Sequence, residues 1–190
     1  MSTDPEKSKF ANWTKVLFGY CDGTLHQGYR KDPINHNGID LYFRGSTIVK
    51  SHFKYLLEKH NFAHADRVVM TGISAGAIGA FMWSNYAQTI IHDPTALLVI
   101  SDSGVFLPFN IFGAPFDAAK TSLQALFSVV NAEEKTPLDL CNKAFPGAEW
   151  NCLSLLNSYC SISAPILLIN SQYDSYVINN TLQIKCVSQA

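Results

Sequence analysis

Residues 67–80 read Arg-Val-Val-Met-Thr-Gly-Ile-Ser-Ala-Gly-Ala-Ile-Gly-Ala, and no other stretch constrains the fold as strongly. The short apolar segment 68–70 predicts a buried strand. Gly72-Ile-Ser-Ala-Gly76 predicts a sharp turn, and the small-residue run that continues through Phe81, Met82 and Trp83 predicts a helix. The two glycines leave room where the strand and helix backbones crowd together. Ser74 is then lifted to the tip of the turn with its Oγ exposed, and the next backbone N–H, that of Ala75, is free to bind an anion.

Strand, turn and helix in that order are the context of a nucleophile elbow, the serine-bearing turn of α/β-hydrolases. The bare Gly-x-Ser-x-Gly pattern arises by chance in roughly one chain in fifteen of this size. Its weight here comes from the strand before it and the helix after it. With 190 residues the chain fits one domain, and 47% hydrophobic against 15% charged residues argues for a large buried sheet. A formal net charge of -1 gives no electrostatic reason to expect nucleic acid or an anionic membrane as partner. The most apolar run, 96–100, has the length of a strand and is far too short to span a membrane. The polar first nine residues do not read as a secretory signal.

Five cysteines, Cys21, Cys141, Cys152, Cys160 and Cys186, include no Cys-x-x-Cys pair, which argues against a zinc site. Cys141, Cys152 and Cys160 lie close together in a loop-rich stretch. That suits disulfides in an oxidising compartment, and equally suits free, partly buried thiols. The triplets Asn12-Trp13-Thr14 and Asn179-Asn180-Thr181 are glycosylation sequons, a pattern that also arises by chance.

Along the chain, residues 15–20 read as a strand closed by the turn Cys21-Asp22-Gly23, and a polar loop follows over 24–38. Residues 41–44 read as a second short strand. Ile48, Val49, Phe53, Leu56 and Leu57 recur at helical spacing and predict an amphipathic helix over 47–60. The helix after the elbow is expected to run to about Ile91, where Asp93-Pro94 ends it. Continuous apolar strands are expected at 96–100 and 165–169, with a helix near 118–130. Strands apolar on both faces that alternate with helices predict one α/β domain, its mainly parallel sheet covered by helices on both faces. The less regular region 105–151 is expected to form a cap or insertion. Its Phe106, Phe109, Phe112 and Phe116 suit a core, or the wall of an acyl pocket.

Functional groups in open α/β sheets gather at the carboxyl ends of the strands. Asp174, five residues past Ile169, stands where the acid of a catalytic triad is expected, since this fold runs Ser, then acid, then His. Asp102 also follows a strand end, but Asp-Ser-Gly reads better as a turn whose side chain bonds nearby backbone. The base is the harder assignment. His26, His36, His52, His60, His64 and His92 all precede the acid. A base drawn from His26 or His36, in the loop after the first strand, would break that chain order, although triads on other folds use other orders.

Six segments, Tyr20-Cys-Asp-Gly23, Leu41-Tyr-Phe-Arg-Gly45, Gly72-Ile-Ser-Ala-Gly76, Ser101-Asp-Ser-Gly104, Glu149-Trp-Asn-Cys152 and Tyr173-Asp-Ser-Tyr176, occur together and in order. As an ordered set they resemble the pectin acetylesterase / Notum family of carboxylesterases. The resemblance implies a secreted, monomeric α/β-hydrolase that uses no metal or organic cofactor. It implies removal of acyl groups, acetyl from a polysaccharide such as pectin or a fatty acyl group from a protein. It carries the nucleophile to Ser74, the acid to Asp174 and an oxyanion donor to the Ala75 N–H. It pairs Cys141 with Cys152 and leaves Cys21 and Cys160 without partners. Two departures stand out. The family's glycine-rich oxyanion segment lies upstream of Tyr-Cys-Asp-Gly, and its histidine lies downstream of the acid; residues 1–190 contain neither. The resemblance therefore implies a partial-length member, incomplete at both ends. The alternative is a catalytically inactive member that binds an acylated glycan or lipidated protein. Ile73 before the serine and Ala77 after the second glycine also depart from the family's elbow, both by small apolar changes.

Overall fold

The computed structural model describes residues 2–106, 118–131 and 133–181. At its centre is a three-stranded parallel sheet in the order β3 (Val68–Ile73), β4 (Leu97–Asp102), β5 (Ile166–Ile169). Val68 pairs with Leu97 and Ile73 with Asp102, while Val99 pairs with Ile166 and Asp102 with Ile169. The three strands therefore end level at their carboxyl edge. Parallel neighbours require crossovers, and the long connections that run between these strands supply them. Along β4 the burial alternates. Leu97, Val99 and Ser101 are buried, while Leu98, Ile100 and Asp102 are half-buried. The continuous apolar run read as a strand covered on both faces is covered unequally among the described residues.

α2 (Ala75–Met82) and α3 (Ser84–Ile90) follow β3. The sequence predicts one helix over this span; the chain instead turns at Trp83. There the indole Nε1–H donates to the His26 carbonyl at 2.7 Å, and Ser84 Oγ donates to the Phe81 carbonyl at 2.7 Å. A side chain anchored across to residue 26 fixes where the break falls, and periodicity within 75–91 has no means of recording that. α2 supplies the middle of the core: Ala77, Phe81 and Met82 are fully buried, with Ile78 and Trp83 nearly so.

α1 (Gly45–His60) matches the amphipathic helix read from the sequence, with Val49, Phe53 and Leu56 buried. It ends in the pattern expected of a helix stop. Asn61 is left-handed (φ 52°), and its N–H donates back to the Leu56 carbonyl. Its start is set from outside the helix. The Arg44 N–H donates to Asp22 Oδ2 at 2.7 Å, and the same carboxylate accepts from Thr24 Oγ1 at 3.1 Å. A Cβ on Gly45 would run into Thr24 Oγ1, so this helix start tolerates only the smallest residue.

Two strand expectations are corrected. Residues 15–20 are not a strand, although Phe18 packs against Phe53 and His52 of α1 at ring separations of 5.2 and 4.7 Å. Phe18 serves packing on a helix rather than a sheet ladder, while Val16 and Leu17 remain exposed. The strand read at 41–44 lies earlier in the chain, as β2 (Ile39–Leu41), and the last part of the polar loop read over 24–38 supplies its antiparallel partner, β1 (Ile34–His36). Asn37 and Gly38 form the hairpin's two-residue turn, both at positive φ, the pairing such tight hairpins favour.

The expected helix at 118–130 is present as α4 (Ala118–Val130). Beyond it, α5 (Asp139–Ala144), a 3₁₀ turn over Glu149–Leu153 and α6 (Leu155–Ser158) pack together. Cys141 and Cys152 are both fully buried and joined by a disulfide, which is the pairing the resemblance implied. Cys21 and Cys160 are free and exposed. Cys186, Phe109, Phe112 and Phe116 lie outside the described residues. Phe106 packs against the core cluster.

Candidate functional site

The elbow is built as the sequence predicts. Ser74 follows β3 directly and caps α2 with φ 56° and ψ −119°, a left-side backbone that only glycine adopts at low cost. Three hydrogen bonds hold it there. Its N–H donates to the Asp102 carbonyl at 2.9 Å, and its carbonyl accepts from Ala77 N–H at 3.0 Å and Ile78 N–H at 3.2 Å. A Cβ on Gly72 would collide with the Gly76 carbonyl group, so the first glycine is required where strand and helix cross. The second is different. A Cβ on Gly76 would meet nothing within 4 Å, so the reading that both glycines relieve crowding holds for Gly72 alone. Ala75 opens α2, and its N–H is one of the first-turn donors that have no intrahelical acceptor.

Asp174 stands beyond β5. Its Oδ1 accepts from Tyr176 N–H at 2.9 Å and Val177 N–H at 3.0 Å, and its carbonyl accepts from Ile178 N–H at 2.9 Å. The carboxylate thereby caps the π-helical turn Val177–Thr181, with Oδ2 left unbonded among the described residues. Ser74 and Asp174 thus occupy the same edge of the sheet, on the two outer strands with β4 between them. Two strand spacings amount to roughly 10 Å, the kind of gap that an imidazole bridges in a triad, taking the serine's proton while the carboxylate orients it.

Asp102, the rival acid, is engaged locally. Its Oδ1 accepts from Ser103 Oγ at 3.0 Å, a side-chain partner rather than the backbone one expected, and its carbonyl anchors Ser74. Ser103 is left-handed (φ 53°), and its N–H donates to the Ile169 carbonyl at 2.7 Å, tying the turn after β4 to the end of β5. Sequence reading did not find Ser101. Its Oγ is fully buried beside this turn without a hydrogen-bond partner, and a Cβ on Gly104 would lie 2.5 Å from it and 2.6 Å from Ala77 Cβ. The one signal for it was the Ser-Asp-Ser-Gly quartet, which reads only as a turn.

None of the six histidines hydrogen-bonds Ser74 among the described residues. His64 and His92 lie together, ring centroids 3.9 Å apart, in the segments that precede β3 and β4, at the opposite edge of the sheet. His36 belongs to the hairpin, and His52 and His60 to α1. His26 comes nearest to the elbow helix. Its ring lies against Gly79, where a Cβ would be 2.9 Å away, and is stacked on Tyr20 at 4.5 Å. Burial lowers its pKa below the ordinary imidazole value, with the Asp22 carboxylate pulling the other way and His52 adding to the lowering. Leu25 and His26 are consecutive left-handed residues (φ 56° and 61°). They are held by Tyr20 Oη, which accepts from Leu25 N–H at 3.1 Å, and by the Trp83 indole.

The turns after β4 and β5 meet through an edge-to-face contact between Phe106 and Tyr176, 6.1 Å between ring centroids. An open groove of about 600 Å³, lined by residues such as Lys135, Asp139 and Lys143, includes none of Ser74, Asp102 or Asp174. No group of three His, Cys, Asp or Glu side chains converges to hold a metal among the described residues. No helix among them is long and apolar enough to cross a membrane.

A family model described as Pectinacetylesterase matches residues 1–190. Pectin acetylesterase 5 of Arabidopsis thaliana is 30% identical over 187 residues, which cover 96% of this chain and 42% of the relative. The palmitoleoyl-protein carboxylesterase notum1a of Danio rerio is 26% identical over 189 residues, 92% of this chain and 36% of that one. The solved structure of the Wnt deacylase Notum from Drosophila superposes on all of this chain and 54% of its own, with a TM-score of 0.82 at 18% identity. The shared fold is therefore α/β-hydrolase-like. The chain spans less than half the length of these curated relatives.

Proposed function

The chain belongs to the pectinacetylesterase family, and from that premise we propose that it carries the nucleophile and the acid of a carboxylic ester hydrolase. The observation that carries this reading is the strained turn at Ser74, held by the Asp102 carbonyl at the same sheet edge as Asp174. Strain of this kind persists where the surroundings over-determine it, and serine nucleophiles are such places.

In the reaction, Ser74 Oγ attacks the ester carbonyl as its proton passes to an imidazole base. The Ala75 N–H donates to the oxygen that becomes negative. The alcohol leaves with the proton from the imidazole, and an acyl-serine remains. Water, deprotonated by the same base, then releases the carboxylic acid and restores the serine. Asp174 Oδ2, the oxygen its own turn does not use, orients the imidazole. The substrate we propose is an acetyl ester on a polysaccharide such as pectin, and the protein acts outside the cell as a monomer without a metal or organic cofactor.

A second reading has its own observation. Ser74 Oγ hydrogen-bonds no histidine among the described residues, which suits a member that binds an acylated glycan or acylated protein without turning it over. Two measurements separate the readings: labelling by a fluorophosphonate probe, and acetate release from acetylated pectin. The esterase reading expects labelling at Ser74 that is absent in Ser74→Ala, with acetate release lost in the same variant. It is overturned if the probe labels wild type and Ser74→Ala alike, or if neither is labelled while acetylated pectin still binds. Asp174→Asn should reduce turnover by orders of magnitude, the scale measured when a triad acid is neutralised in place.

A further inference from the structure

We propose that Asn12 is an N-glycosylation site of this protein and that Asn179 is not, although both head an Asn-x-Thr triplet. The inference is independent of the esterase reading. It rests on the disulfide, the exposure of one triplet and the burial of the other.

The Cys141–Cys152 bond joins two fully buried cysteines in the core. Disulfides of this structural kind form and persist where thiols are oxidised, which in eukaryotic cells means the secretory pathway. A chain folding there meets the transferase that reads Asn-x-Ser/Thr. In the transfer, Nδ2 of the asparagine carboxamide displaces the diphosphate of a lipid-linked oligosaccharide. A C–N bond forms at the first sugar, the C–O bond to the diphosphate breaks, one amide proton is lost, and the lipid diphosphate leaves. No oxidant or reductant is involved. The acceptor triplet must be open to an enzyme at both its asparagine and its hydroxyl residue.

Asn12-Trp13-Thr14 meets that requirement. All three residues are exposed in an irregular turn, and no side-chain hydrogen bond engages Asn12 or Thr14 among the described residues. The turn is braced beside the acceptor rather than through it. Phe10 and Trp13 stack edge to face at 5.1 Å, Trp13 N–H donates to the Phe10 carbonyl, and Lys15 Nζ donates to the Ala11 carbonyl at 2.6 Å. Asn12 is left projecting into solvent, where a glycan displaces nothing. It would also shield Phe10 and Trp13, which are 41% and 37% exposed.

Asn179-Asn180-Thr181 fails at the hydroxyl. The triplet is wound into the turn Val177–Thr181 that Asp174 caps; Thr181 is only 7% exposed, and the Asn180 amide donates to the Tyr176 carbonyl. Synthesis order works the same way. Asn12 precedes α1, α2 and β4 in order of synthesis, so it can be presented before they pack, whereas the later triplet arrives after they can already have packed.

The test is translation of the whole chain, behind a cleavable signal sequence, into microsomes, with gel mobility read before and after peptide-N-glycosidase. For Asn12 this readout requires neither folding nor activity; the Asn179 half is read in oxidising microsomes, where the chain can fold and the Cys141–Cys152 bond can form. One glycan is expected in wild type and in Asn179→Gln. It should be lost in Asn12→Gln and Thr14→Ala and retained in Thr14→Ser. A wild-type chain that is translocated without a shift overturns the proposal, and so does a shift that survives Asn12→Gln. Two glycans on wild type would overturn the half that excludes Asn179.

Discussion

At Ser74 the backbone is held at φ 56°, ψ −119° by neighbours that leave it no alternative. For any residue with a Cβ this costs about 1–3 kcal/mol. Ser74→Gly should therefore raise the unfolding free energy by about 1 kcal/mol, and Ser74→Ala should leave it nearly unchanged. Both would abolish probe labelling. Thermal melts of the two variants side by side check this, and equal melting temperatures would show that the turn stores no strain. His26 makes a prediction about pH. Burial lowers its pKa in the folded state, while the unfolded imidazole keeps its ordinary value near 6.5. Above that value both states hold a neutral ring and the effect is level. Between the two values the unfolded state binds the proton more readily, so acid favours unfolding and stability falls as pH drops below about 6.5. His26→Asn, which suits the left-handed φ, should flatten the melting temperature over that window. Asp22 and His52 do not change the sign, since their effects are secondary to burial.

Among the elements, α1 separates local propensity from tertiary context most sharply. On propensity alone, Gly45→Ala should stabilise a helix by something under 1 kcal/mol, because alanine is the best helix former and glycine among the poorest. Its Cβ would instead run into Thr24 Oγ1, the hydroxyl that bonds the carboxylate capping this helix. The expected result is a net loss of about 1–3 kcal/mol, the usual cost of overpacking. Denaturant unfolding of Gly45→Ala decides it, and a gain in stability would mean that the loop yields at no cost. The break between α2 and α3 carries the same lesson. Phe81, Met82 and Trp83 read as helix on any local scale, yet Trp83 answers to a carbonyl 57 positions earlier in the chain.

Over the whole molecule, one cluster of buried side chains runs from Val49 and Phe53 through α2 and β4 to Leu138, Leu153 and Ala164. The disulfide closes a loop of 11 residues at one end of it. Loop-closure entropy for that length amounts to about 2.5–3 kcal/mol. Replacing both Cys141 and Cys152 by alanine should lower the melting temperature by roughly 6–12 °C for a domain of this size. A melt unchanged by the double replacement would show that packing alone holds this end of the fold. The sheet's margins are less well covered. On the outer strand β5, Leu167, Leu168 and Ile169 are each about half exposed, and Leu17 in the segment read as a strand is 85% exposed.

Much of this protein was legible in the sequence because the signals are local and periodic. The apolar runs that became β3, β4 and β5, the helical spacing over α1, and the glycine-flanked serine follow from rules that act within a few residues. The resemblance supplied the Cys141–Cys152 pairing. Legibility failed wherever long-range partners decided the outcome. Residues 15–20 have the composition of a strand, but α1 offered Phe18 a ring to pack on, and no ladder among the described residues engages them. Gly72 and Gly76 look equivalent in the motif; only the crossing of strand and helix makes the first indispensable and the second open. The sequence by itself determined a serine on a strained turn at the carboxyl edge of a parallel sheet, because turn chemistry and hydrophobic periodicity are local. Only the tertiary structure decided which groups hold that turn, because the Asp102 carbonyl that fixes Ser74 comes from a neighbouring strand 28 positions along the chain.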